Sequence, residues 1–359
     1  MSFRALREEF PVLEHKAYLN AGTDGPLPLA AVKAATEELQ RELADGRAQA
    51  HFERRSELSG QLRELYSAAL GCEQADLALT SCTSEGVALV VDGLSLTAGD
   101  EILTSDEEHP GLLGPLQAAR EIRGVSIRIA PLQELPEAVG ARTKLIACSH
   151  VSWMTGSLAP SGLAELDVPV LLDGAQGVGA VAVDVGELGC QAYAGSGQKW
   201  LCGPDGMGML YVSEDLRERL AVTRRGYSNL ENPNAGLDAA LHEDARRFDT
   251  LSLSAETLAC ALAAVRLLSG FGFAEIHERA CTLAAELAAA VQREGRFLAP
   301  RSQSTLVSFS SPDAVAERAR LGDQGVILRD IPGLSMLRAS VGAWNDERDL
   351  QRLIDGLGQ

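Results

Sequence analysis

The chain has 359 residues, of which 46% are hydrophobic, and its formal net charge at pH 7 is −18. This length and composition are typical of a globular protein with a substantial buried core, most naturally divided into one large and one smaller domain. The acidic charge and the absence of a basic tract in the sequence argue against a nucleic acid or an anionic membrane as partner, because both require clustered Lys and Arg.

The N-terminal segment does not resemble a targeting signal. Its sequence, MSFRALREEFPVLEH (residues 1–15), has charges where a signal peptide would have an apolar core. The longest apolar runs are also shorter than a membrane span. We therefore expect a soluble, cytoplasmic protein.

The cysteines and histidines give no sign of a disulfide framework or a metal site. The seven cysteines are an odd number, lie far apart and include no Cys-x-x-Cys pair. The six histidines show neither His-x-x-x-His nor Glu-x-x-His spacing. We expect most thiols to be buried and no metal to be bound.

Short apolar runs recur between residues 75 and 213, separated by helical or loop stretches. Runs that are apolar throughout, rather than alternating, are typical of strands buried on both faces of a mostly parallel sheet flanked by helices. In such sheets ligands bind beyond the carboxyl ends of the strands. The predicted strands are residues 76–80, 101–105, 126–130, 144–149, 169–173, 191–195 and 208–212.

The pattern changes after residue 213, where a polar loop leads into two predicted helices and then into shorter strands. This mixture indicates a smaller α+β domain. We predict an N-terminal arm (1–15), a large domain (16–245) and a small C-terminal domain (246–359). The elements predicted in the last part are helices at 255–269 and 272–294, strands at 304–310, 325–329 and 336–341, and a helix that begins near Asp346.

Polar residues follow the first two predicted strands. Thr83 and Ser84 open a predicted helix, where hydroxyl groups and free backbone N–H groups can form an anion site. An ordinary helix N-cap is the alternative interpretation. His109 follows the next strand, and taken alone such a residue is more often a plain surface histidine.

Two charged residues follow later strands. Asp173 ends a buried strand, so its carboxylate needs a cationic or donating partner, unless it only caps the next helix. Lys199 stands beside Ser196 and Gln198, after the following strand. The basic residues of this chain are nearly all arginine, which favours a required amine at Lys199, with a surface lysine as the alternative.

An anion cradle, an imidazole platform, an aspartate for a ring nitrogen and a lysine amine are, in this order, the parts that pyridoxal phosphate requires. The sequence resembles the class V aminotransferase family of fold-type I pyridoxal-phosphate enzymes over almost its whole length. The resemblance is carried by YLNAGTDGPLP (18–28), SHVSWMTGS (149–157), DGAQGVGA (173–180), SGQKWLCGPDGMG (196–208), RRFDTLSLS (246–254) and LRASVGAWNDERDL (337–350).

The resemblance implies a role for each matching residue. Lys199 would attach the cofactor covalently, Asp173 would pair with the pyridinium nitrogen, and Gln176 would bind the ring hydroxyl. His109 would stack on the ring face, and Arg338 would bind the substrate carboxylate as a planar fork. The phosphate would be held by Thr83, Ser84, Ser196 and Gln198, with Ser252 reaching over from the second subunit of a homodimer.

The sequence departs from the family pattern at three places. Gln198 stands where histidine commonly precedes the lysine, and Trp153 replaces the asparagine of desulfurases, as in the cystine lyase branch. All seven cysteines precede residue 282, so the stretch 325–340, where a desulfurase carries its nucleophilic thiol, contains none.

These departures favour one reaction among several. A lyase that cleaves a carbon–sulfur bond of cystine or a cysteine conjugate needs only Lys199 and a good leaving group, so we expect this activity first. An aminotransferase, an epimerase or a desulfurase-like enzyme remain alternatives, as does a relative that has lost its cofactor. We expect Asn20, Trp153 and Tyr227 to shape the pocket for the amino-acid substrate.

Overall fold

The computed structural model describes residues 2–358. Its strands are β1 (Ala17–Tyr18), β2 (Leu77–Thr80), β3 (Glu101–Ser105), β4 (Ser126–Ala130), β5 (Thr143–Ser149), β6 (Val170–Asp173), β7 (Ala192–Ser196), β8 (Gly208–Val212), β9 (Leu306–Ser310), β10 (Val326–Ile327), β11 (Arg329–Asp330) and β12 (Met336–Ser340).

The α-helices are α1 (Phe3–Glu8), α2 (Leu29–Asp45), α3 (Gln49–Leu70), α4 (Thr83–Gly93), α5 (Pro110–Arg123), α6 (Leu135–Ala138), α7 (Glu214–Arg219), α8 (Ala255–Phe271), α9 (Phe273–Arg293), α10 (Ala314–Asp323) and α11 (Glu347–Leu357). Short 3₁₀ turns lie at Pro11–Glu14, Gln74–Asp76, Leu132–Glu134, Ser161–Glu165, Tyr227–Asn229, Pro233–Asp238 and Ala245–Phe248.

A mostly parallel sheet forms the centre of the molecule, in the order β2-β8-β7-β6-β5-β3-β4. The strands from β4 to β7 run parallel, whereas β8 is antiparallel to both of its neighbours. This confirms the predicted α/β class, and every predicted strand of this region lies within one residue of an observed one. The carboxyl ends of β3, β5, β6 and β7 therefore meet at one edge of the sheet.

Successive residues of the central strands enter two different cores. Leu171 packs on one face with residues of α4 and α5, and Leu172 packs on the other face with residues of α3 and α8. Burial on both faces explains why these strands are apolar throughout. β4 is the exception, because it is an edge strand and Ile129 is 62% exposed, so the prediction of two buried faces is wrong there.

The C-terminal part builds a second layer. β9, β11 and β12 form an antiparallel sheet in the order β11-β12-β9, and α9, α10 and α11 contribute to its core. β1 pairs with β10, and Leu19 lies in this same core. The bounds of the predicted arm and domains stay a prediction, while the predicted α+β mixture of the C-terminal part is observed.

Helix lengths give no obvious membrane segment. Within residues 2–358, no single helix is both long and apolar enough to cross a membrane. α8 and α9 together meet that length and composition, but they are bent by 82° at the break between them.

Candidate active site

Several of the predicted site residues lie at the carboxyl ends of the parallel strands. Lys199 is partly buried, and burial lowers the pKa of its amine to about 8, while the negative charges of Asp173 and Asp24 oppose this shift. Part of the amine is therefore unprotonated near neutral pH. An amine in this state can attack a carbonyl carbon or accept a proton.

Asp173 is the buried carboxylate at the end of β6. Its Oδ1 accepts a hydrogen bond from the Ala175 N–H at 2.9 Å. Burial raises its pKa, and the charge of Lys199 opposes that change. A cation placed against this carboxylate would be strongly favoured, because a buried carboxylate is costly without one.

The loop that contains Gly22 and Gly25 lies directly on the Lys199 strand end. The Gly25 N–H donates to the Gln198 carbonyl at 2.8 Å, and a Cβ on Gly25 would come within 2.0 Å of the Lys199 carbonyl oxygen. Gln176 donates from Nε2 to the Gly22 carbonyl at 2.6 Å and accepts from Trp200 Nε1 at 2.9 Å. Glycine is therefore required at residue 25 for this close approach, and the Gln176 amide is held in one orientation.

His109 is the N-cap of α5 and faces the same cleft. Its Nδ1 accepts a hydrogen bond from the Gly111 N–H at 3.0 Å. Burial, followed by the charges of Lys199 and two arginines, lowers the His109 pKa to about 4, so the ring is neutral at pH 7. Its ring meets the edge of Trp153 with centroids 5.1 Å apart.

Several buried polar atoms near Lys199 lack a hydrogen-bond partner within the described residues. Among them are the hydroxyl oxygens of Thr83 and Ser196 and the Oε1 of Gln198. A buried polar atom left unpaired costs about 1–3 kcal/mol, so these groups are suited to a ligand with strong acceptor or donor atoms. The Thr83 and Ser196 hydroxyls, which can donate, and the N-terminus of α4, which begins at Thr83, fit the acceptor oxygens of the phosphate of pyridoxal phosphate. Ser84, the next residue, lies beside Gly111 of the His109 turn.

Arg338 projects from β12 and is fully buried. Its Nη1 donates to the Trp153 carbonyl at 2.8 Å, and its Nη2 lies 3.5 Å from Thr23 Oγ1, which in turn donates to Asn20. Its Nε is another buried atom without a partner in the described part of the chain. Burial, and then the charge of Arg329, lowers the Arg338 pKa to about 9. The structure thus brings Arg338, Trp153 and Asn20 together.

Sequence reasoning did not identify Arg329 as a site residue. It lies directly opposite Arg338 in the antiparallel pair of β11 and β12, and its guanidinium lies 5.4 Å from the Trp153 ring centroid. Two cations in directly opposite positions repel each other, so this pair favours an anion between or beside them. The sequence signal that could have identified Arg329 is that it is a second arginine shortly before Arg338 in the same predicted strand pair.

Tyr227 and Ser252 lie elsewhere in the chain. Both line a surface cleft together with Phe52 and Arg63, and the described lining of this cleft includes none of the residues around Lys199. Tyr227 is 74% exposed. The structure of one chain therefore does not bring either residue to Lys199, and their predicted roles remain predictions that depend on a second subunit.

Metal chemistry has no obvious location in the described part of the chain. Residues 2–358 contain no group of three or more His, Cys, Asp or Glu side chains that could hold a metal ion. The seven cysteines are all free thiols.

Known proteins resemble this chain over most of its length. The isopenicillin N epimerase of Streptomyces clavuligerus is 31% identical over 240 residues, and the alignment spans 62% of this chain but only 60% of the epimerase. A probable cysteine desulfurase of Pseudomonas aeruginosa is 32% identical over 309 residues, or 77% of this chain and 76% of that protein.

Solved structures of C-DES, a cystine C–S lyase, have nearly the same fold. A complex with cysteine persulfide gives a TM-score of 0.92 at 28% identity, and a variant with glycine covalently linked to the pyridoxal-phosphate cofactor gives 0.93 at 29%. Each covers 98% of this chain and 99% of C-DES.

The family model described as Aminotransferase class-V matches residues 17–353, which include the strand-end residues described above. The match therefore covers nearly the whole chain. The chain belongs to the class V aminotransferase family and is a pyridoxal-phosphate-dependent enzyme.

Proposed function

We propose that the protein is a carbon–sulfur β-lyase that acts on cystine or a cysteine conjugate without a nucleophilic cysteine. The observation that carries this proposal is the composition of the site wall formed by β11 and β12. That wall presents Arg329 and Arg338 to the cleft beside Trp153, and the sequence from 325 to 340 contains no thiol. The likeness to C-DES supports the same reaction.

The thiol nearest in sequence to Lys199 is poorly suited to be a nucleophile. Cys202 is fully buried, and its backbone N–H donates to the Lys199 carbonyl at 3.2 Å. Burial raises the pKa of Cys202 well above its ordinary value, so the side chain stays a thiol. Because the thiolate is the reactive form, sulfur transfer through Cys202 is disfavoured.

The two arginines indicate how the substrate would be held. Arg338 offers an unpaired Nε and a planar guanidinium to the α-carboxylate. Arg329, opposite it, suits an anionic group at the far end of the substrate side chain, such as the second carboxylate of cystine. Trp153 lies between these groups and His109, where it would exclude water from the reacting carbon.

The remaining residues suit proton transfer and elimination. When bound, pyridoxal phosphate supplies an electron sink next to the substrate α-carbon. Thr83, Ser84, Ser196 and Gln198 would hold its phosphate, Gln176 its ring hydroxyl and Asp173 its ring nitrogen, with Lys199 as the point of attachment. The substrate amino group would displace the Lys199 amine, and the freed amine would take the α-proton. The β-carbon–sulfur bond would break with its electron pair leaving on sulfur, and water would convert the three-carbon fragment to pyruvate and ammonia.

The shared active site and the location of the protein belong to the same proposal. Ser252 would reach the phosphate of a second copy, and Tyr227 would shape that copy's substrate pocket, because both lie on an exposed cleft of their own chain. A homodimer with two shared sites follows from this arrangement. A cytoplasmic location stays a prediction from the sequence.

A cysteine-free variant with cystine as substrate tests the lyase. Cys72 and Cys82 are changed to serine, and the five buried cysteines to alanine, because a buried hydroxyl without a partner would be destabilising. We expect continuous production of pyruvate and ammonia without any added keto acid. A single stoichiometric burst that resumes only with a keto acid would indicate an aminotransferase, and loss of sulfur transfer in an otherwise folded variant would indicate a desulfurase.

A further inference from the structure

Glu108 is a buried carboxylate next to His109 whose contacts the proposed reaction does not use. It is 6% exposed and lies after the end of β3. Its Oε1 accepts from the Ser105 hydroxyl and from the Ser149 N–H at 3.0 Å, and its Oε2 accepts from the Ser149 hydroxyl at 2.6 Å. Glu108 therefore joins the carboxyl ends of β3 and β5.

Within residues 2–358, Glu108 is held by hydrogen bonds from two serines and takes part in no ion pair. Burial, and to a lesser extent the charge of Asp173, raises its pKa to about 7, whereas the hydrogen bonds from Ser105 and Ser149 oppose this shift. A buried carboxylate retained without a cationic partner is expensive. The cost is offset if Glu108 holds the ends of β3 and β5 in the arrangement that the active site requires.

The residues held by Glu108 surround the cleft. Ser149 is the register partner of Asp173 in the β5–β6 pair, and His109 is the next residue after Glu108. The neighbouring Glu107 accepts from Thr155 Oγ1 at 2.6 Å, which ties the same turn to the loop of Trp153. The two neighbouring carboxylates therefore contact both the strand end beside His109 and the loop that carries Trp153.

We infer that Glu108 is a positioning residue that fixes the His109 ring over the cofactor site by joining the ends of β3 and β5. The inference rests on the proposed placement of His109. It does not depend on which reaction follows. Without the carboxylate, Ser105 and Ser149 would lose their common acceptor, and the turn that carries His109 would be free to shift.

The chain offers a matched control in Glu101. This carboxylate is also buried, at 7% exposure, and it also accepts from a β5 hydroxyl, that of Thr143 at 2.8 Å. It stands at the opposite end of β3, away from the cleft. Glu101→Ala therefore removes an equivalent buried contact without disturbing the His109 turn.

The experiment compares Glu108→Ala with Glu101→Ala in the pyridoxal-phosphate-loaded enzyme. Visible circular dichroism of the bound cofactor is measured without substrate, and exchange of the amino-acid α-proton is measured in deuterated water. We expect Glu108→Ala to weaken the dichroic signal and to slow exchange by about 100-fold, a loss that misplacing an active-site group by about 1 Å can cause. Glu101→Ala should lower only the thermal stability.

A double-mutant cycle decides whether Glu108 acts through His109. In the His109→Ala background, Glu108→Ala should slow exchange by no more than about threefold, because the positioned ring is already absent. Glu108→Gln should restore most of the signal, since its amide oxygen can still accept from the Ser149 N–H.

Three outcomes would overturn the inference: multiplicative effects of Glu108→Ala and His109→Ala, equal effects of Glu108→Ala and Glu101→Ala, or no effect of Glu108→Ala on either readout. If Glu108→Ala does not fold, Ser149→Ala replaces it in the cycle under the same criteria. Failure of the lyase proposal would instead appear as missing pyruvate in the unaltered enzyme, with the dichroic signal and proton exchange intact.

Discussion

Replacing Lys199 by methionine should stabilise the cofactor-free protein. The folded protein holds the pKa of Lys199 at about 8, against 10.5 for an exposed lysine, because burial disfavours the ammonium form. At about 1.4 kcal/mol per pKa unit, this difference destabilises the fold by roughly 3 kcal/mol at pH 7. Methionine has a similar length and no charge, so it removes this cost.

The sign of the effect fixes its pH dependence. A lysine whose pKa is lower in the folded state destabilises the fold fully below pH 8, and the cost disappears as pH rises towards 10.5, where the unfolded chain also loses the proton. For a chain of this length, 3 kcal/mol corresponds to a rise in Tm of about 4 °C. The rise should therefore be largest below pH 8 and fade at alkaline pH.

The assay is thermal unfolding of cofactor-free Lys199→Met and unaltered protein from pH 6 to pH 10. Lys144→Met is the control, because Lys144 is exposed on β5 and should show no pH-dependent gain. Borohydride reduction of the loaded proteins should leave the cofactor on Lys199 in the unaltered chain and on no residue of Lys199→Met. A pH-independent difference in Tm, or a less stable Lys199→Met protein, would refute the reasoning.

Two further substitutions test the roles of Asp173 and Arg338. Asp173→Asn should keep the fold and lower kcat by at least about 100-fold, because an amide cannot hold a ring nitrogen protonated; near-normal turnover would show that this assignment is wrong. Arg338→Lys should raise KM for cystine by at least about tenfold, since each charge-assisted hydrogen bond lost costs about 1.5–3 kcal/mol. The visible spectrum should stay unchanged, and its collapse would make Arg338 a structural residue.

The central sheet could be predicted because its physical signal is local. Residues 145–149 of β5 and all of β6 are buried, so nearly every position is under the same pressure to be apolar and the runs are easy to locate. The same reasoning failed for β4, because an apolar run does not tell whether a strand lies at the edge of a sheet. Whether a strand lies at the centre or the edge depends on which other strands pair with it, and a single apolar run carries no information about its partners.

The missed residues depend on contacts between distant parts of the chain. Glu108 and Ser149 are 41 positions apart, and neither local sequence indicates that a carboxylate joins two strand ends. Arg329 becomes notable only once the register of the β11–β12 hairpin places it opposite Arg338. Tyr227 illustrates the converse, because it lies away from Lys199 in its own chain and its proposed substrate pocket belongs to a second copy.

The charges of the cleft suggest how one amine can serve two purposes. Lys199, Arg329 and Arg338 concentrate positive charge within a chain of net charge −18, and the two arginines are among the causes of the lowered Lys199 pKa. Without anions in the cleft, part of the amine is neutral and can react with an aldehyde. A carboxylate bound between the arginines would offset their charge and raise the Lys199 pKa again. Substrate binding would therefore strengthen Lys199 as a base at the stage when it must accept the α-proton.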